Sequence, residues 1–277
     1  LDRDNLSETD RGLKYADLLR DEIIAQGPES VLAFIMEPIG GASTGALVAP
    51  DSYYGRIREI CDEFGILLIY DEVMTGAGRT GKFLASEHWG ITPDIVALSK
   101  GFAAGYAPLG AMVAKSSIVD KVLDAGGFLH GFTYAGNPLA CAAGEAVIDE
   151  LLAQNLVGNA AVMGELLKAK LTSLMDRYPF IGDVRGKGLL TAFELVSDRP
   201  TMAPLPKELN AYNRLVDLAY ERGLIIYSRR TRGGHEGDHF LVCPPLIVSA
   251  EQIDEIIGTL IESLDVMAAE MNLPVVR

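Results

Sequence analysis

Three continuous apolar runs each end on a residue able to do chemistry, and this limits the fold more than any other feature. Val31–Met36 ends at Glu37-Pro38, Ile66–Tyr70 at Asp71-Glu72, and Ile95–Leu98 at Ser99-Lys100. Runs without polar alternation read as strands buried on both faces. Between them the spacing is helical. Leu13, Leu18, Leu19 and Ile23 recur within Asp10–Ala25, which Gly27-Pro28 closes, and Tyr54, Ile57 and Cys61 lie within a helix from Pro50 to Gly65. Apolar strands alternating with helices predict an α/β fold with a mostly parallel sheet, to which Ala111–Ala114 adds a strand.

The texture changes near Ala153–Gly158. Helical Ala160–Arg177, Pro206–Arg222 and Ala250–Met271 alternate with strand-like Leu189–Val196, Leu224–Tyr227 and His239–Cys243. The expectation is a large domain over 1–154 and a smaller C-terminal α+β domain over 155–277.

Charge and cysteine usage narrow the partners. With 24 Lys+Arg against 38 Asp+Glu the net charge is −14, which opposes binding to nucleic acid or an anionic membrane. Cys61, Cys141 and Cys243 form no C-x-x-C pair, so neither a disulfide framework nor a thiolate zinc site is expected. Leu1–Arg11 is too polar for a secretory signal, and glycines and Pro138 break the uncharged stretch Ala125–Gly144. A cytoplasmic soluble protein is the expectation.

Ligands of open α/β sheets bind at the carboxyl ends of the strands. Glu37, Asp71-Glu72 and Lys100 fall at such ends, and a Gly-rich loop, His130–Pro138, carries Thr133. Singly, each has a plain structural reading as a cap, an ion-pair partner or a solvated loop residue. Together they suit pyridoxal phosphate. A lysine amine can condense with its aldehyde, an acid can keep its ring nitrogen protonated, and a hydroxyl can meet its phosphate.

These residues lie in motifs. Ile69-Tyr70-Asp71-Glu72-Val73, Gly78-Arg79-Thr80-Gly81, Leu98-Ser99-Lys100-Gly101, Gly105-Tyr106-Ala107-Pro108-Leu109-Gly110 and His130-Gly131-Phe132-Thr133-Tyr134 occur in order, with Glu37-Pro38 before them and Pro244-Pro245-Leu246 after. The set resembles the class III pyridoxal-phosphate-dependent aminotransferases over nearly the whole chain. That resemblance implies a fold-type-I transferase acting as a homodimer, or dimer of dimers, with shared active sites. It implies Lys100 as the Schiff-base lysine, Asp71 as the partner of the pyridine nitrogen, and Val73 packed on the ring. Phe132 and Thr133 would reach the neighbouring subunit's cofactor. The substrates implied are an amino donor and a 2-oxo acid acceptor.

The sequence departs from the family pattern in two respects. Members using 2-oxoglutarate often carry a glutamate five residues after the Glu-Pro glutamate, to park a substrate-binding arginine. Ala42 stands there, which is similar to the amine– and ω-amino-acid–pyruvate branch and to the diaminopelargonate branch. The carboxylate-binding arginine should precede Pro244-Pro245, where Arg229, Arg230 and Arg232 lie; Arg232 is nearest. His235, Glu236, Asp238 and His239 beside them are too irregularly spaced for a metal site. In addition, no Gly-Ser phosphate loop or ring-stacking aromatic precedes Glu37, so the resemblance implies a further N-terminal segment. Two rivals stay open: dinucleotide binding through Gly76-Ala77-Gly78-Arg79-Thr80-Gly81, and a catalytically inactive homologue.

Overall fold

A computed structural model describes residues 5–231 and 236–276. They form two compact units. One comprises Leu1–Pro38, Ala49–Ala77 and Lys82–Gln154, the other Ile39–Val48, Gly78–Gly81 and Asn155–Arg277.

The first unit contains helix α1 (Glu8–Gln26), β1 (Ala33–Met36), α2 (Asp51–Phe64), β2 (Leu67–Asp71), β3 (Ile95–Leu98), β4 (Ala111–Ala114), α3 (Ser116–Asp124) and α4 (Pro138–Ala153). Ser7 caps α1 by accepting the Asp10 N–H at 3.1 Å. The sheet order is β1-β2-β3-β4, with the first three strands parallel and β4 antiparallel to β3. Helical periodicity on one side and strand alternation on the other meet in a single core. Ala16 and Ile23 of α1 and Ile57, Ile60 and Cys61 of α2 pack with Leu68 and Tyr70 of β2. Helix α3 is not evident from sequence periodicity. The uncharged stretch Ala125–Gly144, broken in sequence by glycines and Pro138, is loop followed by helix start: α4 begins at Pro138 under an Asn137 cap that accepts the Leu139 and Ala140 N–H groups.

The second unit contains α5 (Leu156–Arg177), β5 (Ile181–Lys187), β6 (Leu190–Leu195), α6 (Ala211–Glu221), β7 (Tyr227–Thr231), β8 (Glu236–Val242) and α7 (Ala250–Met271). Its sheet is antiparallel, in the order β5-β6-β8-β7. One face carries the core: Phe193 and Phe240 stack at 4.9 Å and meet Leu167, Leu171, Leu215, Leu218, Leu260 and Leu264 from the helices. The opposite face, by alternation, carries Arg185, Glu194 and His239, and receives the excursion Ile39–Val48.

Here the strands differ from the sequence expectation. β5 is rich in glycine and charge, and no apolar pattern announces it. Instead of Leu224–Tyr227, β7 begins at Tyr227, because the Leu224 N–H still bonds the Ala219 carbonyl at 2.9 Å in the turn that ends α6. β8 begins before the expected His239, at Glu236, so Asp238 is a strand residue. Its Oδ1 pairs with Arg230 on the adjacent strand β7 at 2.5 Å, while its buried Oδ2 has no hydrogen-bond partner among the described residues. Among the described residues no helix is long and apolar enough to cross a membrane.

Candidate active site

The register of the parallel strands sets the site. Met36 pairs with Tyr70, and Asp71 pairs with Ala97. Glu37, Asp71 and the residues after Leu98 therefore emerge along one edge, at the carboxyl ends of three adjacent strands. Asp71 is half-buried. Its Oδ1 accepts the Val73 N–H at 3.0 Å, a local bond that turns the chain out of β2 and leaves the second oxygen available.

Its neighbour points the other way. Glu72 is buried, with Oε2 accepting from Thr75 Oγ1 and the Ala85 N–H, both at 2.8 Å, and Oε1 accepting from the Ser86 N–H at 2.9 Å. Burial raises the Glu72 pKa against the pull of those three donors. Sequence groups the two acids; the geometry separates them. Glu72 clamps the chain that leaves β2, while Asp71 keeps an open carboxylate oxygen.

Lys100 lies just past β3 and opens a short 3-10 turn, Lys100–Ala103. Its φ of +47° is left-handed, a conformation costly for a side chain with a Cβ. Ser99 holds the turn in place: its Oγ donates to the Leu109 carbonyl at 2.9 Å, and its own carbonyl accepts the Phe102 N–H at 3.0 Å. Among the described residues no hydrogen bond or ion pair engages Lys100 Nζ.

Phe132 and Thr133 lie exposed in the loop before α4. The Phe132 ring meets His130 edge-on at 4.8 Å, and among the described residues no hydrogen bond or ring contact joins Phe132 or Thr133 to Asp71, Val73 or Lys100. Arg232, the expected carboxylate ligand, lies outside the described residues, as does His235. Arg229 donates through Nε to the Tyr227 hydroxyl at 2.6 Å. Arg230 stacks on Tyr212 at 4.1 Å in addition to pairing with Asp238, so its guanidinium is committed inside the second unit. Among the described residues no group of acids, histidines and cysteines could hold a metal ion.

Two features of the second unit escape a reading of the sequence. Arg79 Nη1 donates to the Pro244 carbonyl at 2.6 Å, which joins the Gly-Arg-Thr-Gly and Pro-Pro-Leu motifs; only their co-occurrence signals this. His239, fully buried, places Nε2 2.9 Å from the Ala42 carbonyl. A carbonyl only accepts, so Nε2 carries the hydrogen.

An uncommitted lysine amine and an open carboxylate, placed at the ends of adjacent parallel strands, are the side-chain types that pyridoxal phosphate requires. The comparisons agree. Residues 3–264 match the family described as aminotransferase class-III. The chain is 39% identical over 255 residues to the taurine–pyruvate aminotransferase of Bilophila wadsworthia, covering 90% of this chain and 55% of that protein. It is 36% identical over 267 residues to the putrescine–pyruvate aminotransferase of Pseudomonas aeruginosa, covering 96% and 56%. It superposes on a PLP-bound amine transaminase from an uncultivated Pseudomonas species with a TM-score of 0.86 at 38% identity, covering 94% of this chain and 57% of that one. The chain thus spans little more than half the length of these relatives. On these grounds it belongs to the class III aminotransferases, a family dependent on pyridoxal phosphate.

Proposed function

We propose that this chain belongs to a transaminase that moves an amino group from an amine or ω-amino acid to a 2-oxo acid, with pyruvate as the acceptor. The observation that carries this is the placement of Asp71 and Lys100 at the ends of adjacent parallel strands. The cofactor supplies an electron sink for the charge left when a bond to the amino-bearing carbon breaks. Lys100 is the residue that would hold its aldehyde carbon and, as a free amine, carry the proton to and from the substrate carbon. The open oxygen of Asp71 would accept a hydrogen bond from the protonated ring nitrogen and keep that proton in place. Val73, half-buried two residues on, would pack on the ring. Arg232 would bind the substrate carboxylate bidentately.

Ala42 and the pyruvate-using relatives support pyruvate over 2-oxoglutarate. A second copy of the chain is the proposed partner. Leu129, Phe132 and Tyr134 are 95%, 75% and 81% exposed in the loop before α4, an apolar surface that a neighbouring subunit would cover.

The test is spectroscopic and then kinetic. Added pyridoxal phosphate should give a visible absorption band, and borohydride should fix the label on Lys100. An acceptor screen should then favour pyruvate. Protein that stays colourless, or a label on another residue, would refute the assignment. Faster turnover with 2-oxoglutarate would reverse the acceptor.

A further inference from the structure

Lys100 is exposed, and among the described residues no hydrogen bond or ion pair engages its Nζ. The direction in which its side chain leaves is therefore set by the backbone. That backbone belongs to the connection 99–110, which follows the last pair of the β3–β4 ladder, Leu98 and Ala111. Most of its bonds are local. The Phe102 N–H meets the Ser99 carbonyl at 3.0 Å, the Ala104 N–H the Gly101 carbonyl at 3.2 Å, and the Tyr106 N–H the Ala103 carbonyl at 2.9 Å.

One bond spans the connection. Ser99 Oγ donates to the Leu109 carbonyl at 2.9 Å, and among the described residues no other hydrogen bond joins 99–104 to 109–110. The hydroxyl thus adds one rung beyond the last strand pair, directly before Lys100. The far side of that rung is seated on α4: a Cβ at Gly144 would lie 2.4 Å from Leu109 Cδ2 and 3.5 Å from the Phe102 carbonyl oxygen.

Magnitudes decide whether the rung matters. At a φ of +47° Lys100 would relax on leaving the left-handed region, and the gain is of the order that one hydrogen bond contributes. The rung and the Phe102–Ser99 bond oppose that relaxation, so loss of either brings the two sides close to balance. We infer that Ser99 is a positioning residue for Lys100: its rung to Leu109 holds the turn that aims the amine. This rests on the transaminase reading, with Lys100 as the proton carrier. A change in φ swings the Cα–Cβ bond, and the flexible stem beyond it carries the displacement to Nζ. Misplacing a reacting group by about 1 Å costs up to about a hundredfold in rate.

The test is Ser99→Ala, which removes one oxygen from a half-buried position, in the pyridoxal-phosphate-loaded enzyme. Its kcat should fall about tenfold, the worth of one such bond, while donor and acceptor KM stay within about twofold. Ser99→Thr keeps the hydroxyl and should recover most of the loss. Hydrogen exchange in the cofactor-free protein supplies a readout independent of activity: the Phe102 amide should lose protection in Ser99→Ala and regain it in Ser99→Thr. Ser99→Cys, a near-isostere whose thiol donates weakly, covers the case in which Ser99→Ala does not fold; it should show the same selective fall in kcat, to a smaller degree. A kcat within twofold of wild type, a KM change as large as the kcat change, or unchanged Phe102 exchange would overturn the inference. Wild-type protein with no visible band and no label on Lys100 would refute the transaminase reading instead, and the exchange result would then stand as the test of the rung.

Discussion

Arg79 and Pro244, separated by 165 positions in sequence, are joined by a hydrogen bond of 2.6 Å from guanidinium to main-chain carbonyl. The Leu189 N–H returns a bond to the Arg79 carbonyl at 3.0 Å, so Arg79 ties the start of β6 and the end of β8 to one short segment. Gly188 makes the close approach possible: a Cβ there would lie 2.3 Å from the Thr80 carbonyl carbon.

Burial lowers the Arg79 pKa, so the carbonyls that surround it compensate a charge held out of water. Arg79→Met should destabilise the protein by about 3 kcal/mol, because it leaves acceptors unpaired in a packed interior. Thermal melting checks this; a melting temperature equal to wild type would show that the bond contributes nothing.

Glu72→Gln should be nearly as damaging as Glu72→Ala. Its amide nitrogen would face the N–H donors of Ala85 and Ser86 or the Thr75 hydroxyl, exchanging an acceptor for a donor. A loss of about 2 kcal/mol in denaturant unfolding is expected for either change. If Glu72→Gln is neutral, the carboxylate is not the clamp.

Acid should weaken the first unit through Asp94. Burial pushes its pKa up, but the Lys115 ammonium at 2.7 Å, the Leu68 N–H at 2.8 Å and Arg58 at 2.9 Å outweigh burial and hold it below the ordinary value. A carboxyl whose pKa is depressed in the fold protonates more readily once unfolded. Its stabilising contribution is therefore complete above the ordinary aspartate range and is lost as the pH falls through the folded value. Asp94→Asn should lower stability at neutral pH by about 2 kcal/mol and flatten the acid limb of the stability curve. An acid limb as steep as wild type would assign it to other carboxylates.

Lys100→Ala and Lys100→Gly should both lose turnover by about four orders of magnitude, the upper range for a positioned proton carrier. They should differ in stability. At a φ of +47° glycine carries no Cβ penalty, so Lys100→Gly should be more stable than Lys100→Ala by about 1 kcal/mol. Calorimetry separates the two variants, and equal stability would remove the strain argument.

The strand ends are legible in the sequence because continuous apolar runs announce strands. These are not buried on both faces as expected: burial alternates along β2 and β3, and Ile35 of β1 is 62% exposed. Chain connectivity alone then puts the next residue at the strand end. Asp71 and Lys100 need only that. The edges of the second unit are less legible. β5 and β7 carry Arg, Asp, Gly and Lys, and their arginines Arg185 and Arg230 are held by acids on the neighbouring strands, Glu194 on β6 and Asp238 on β8, pairings that no local pattern records. In sequence, His239 stands beside a glycine loop as one of several irregular polar residues. Its place opposite Ala42 comes from strand alternation in β8 combined with an excursion from far upstream.

The split between regular and irregular chain has an evolutionary consequence. Asp71 ends β2 and Lys100 lies two residues past β3, so a one-residue insertion in either strand would shift the register that places them and, on the proposed roles, would disable both together. Ala42 stands on an excursion that contributes no strand to either sheet and is held by bonds from His239 and Arg185 and by the close fit at Gly45, so side chains there can change only where that grip is kept. On the proposed function, a change at Ala42 would alter the acceptor while the strand ends that carry Asp71 and Lys100 stay in register.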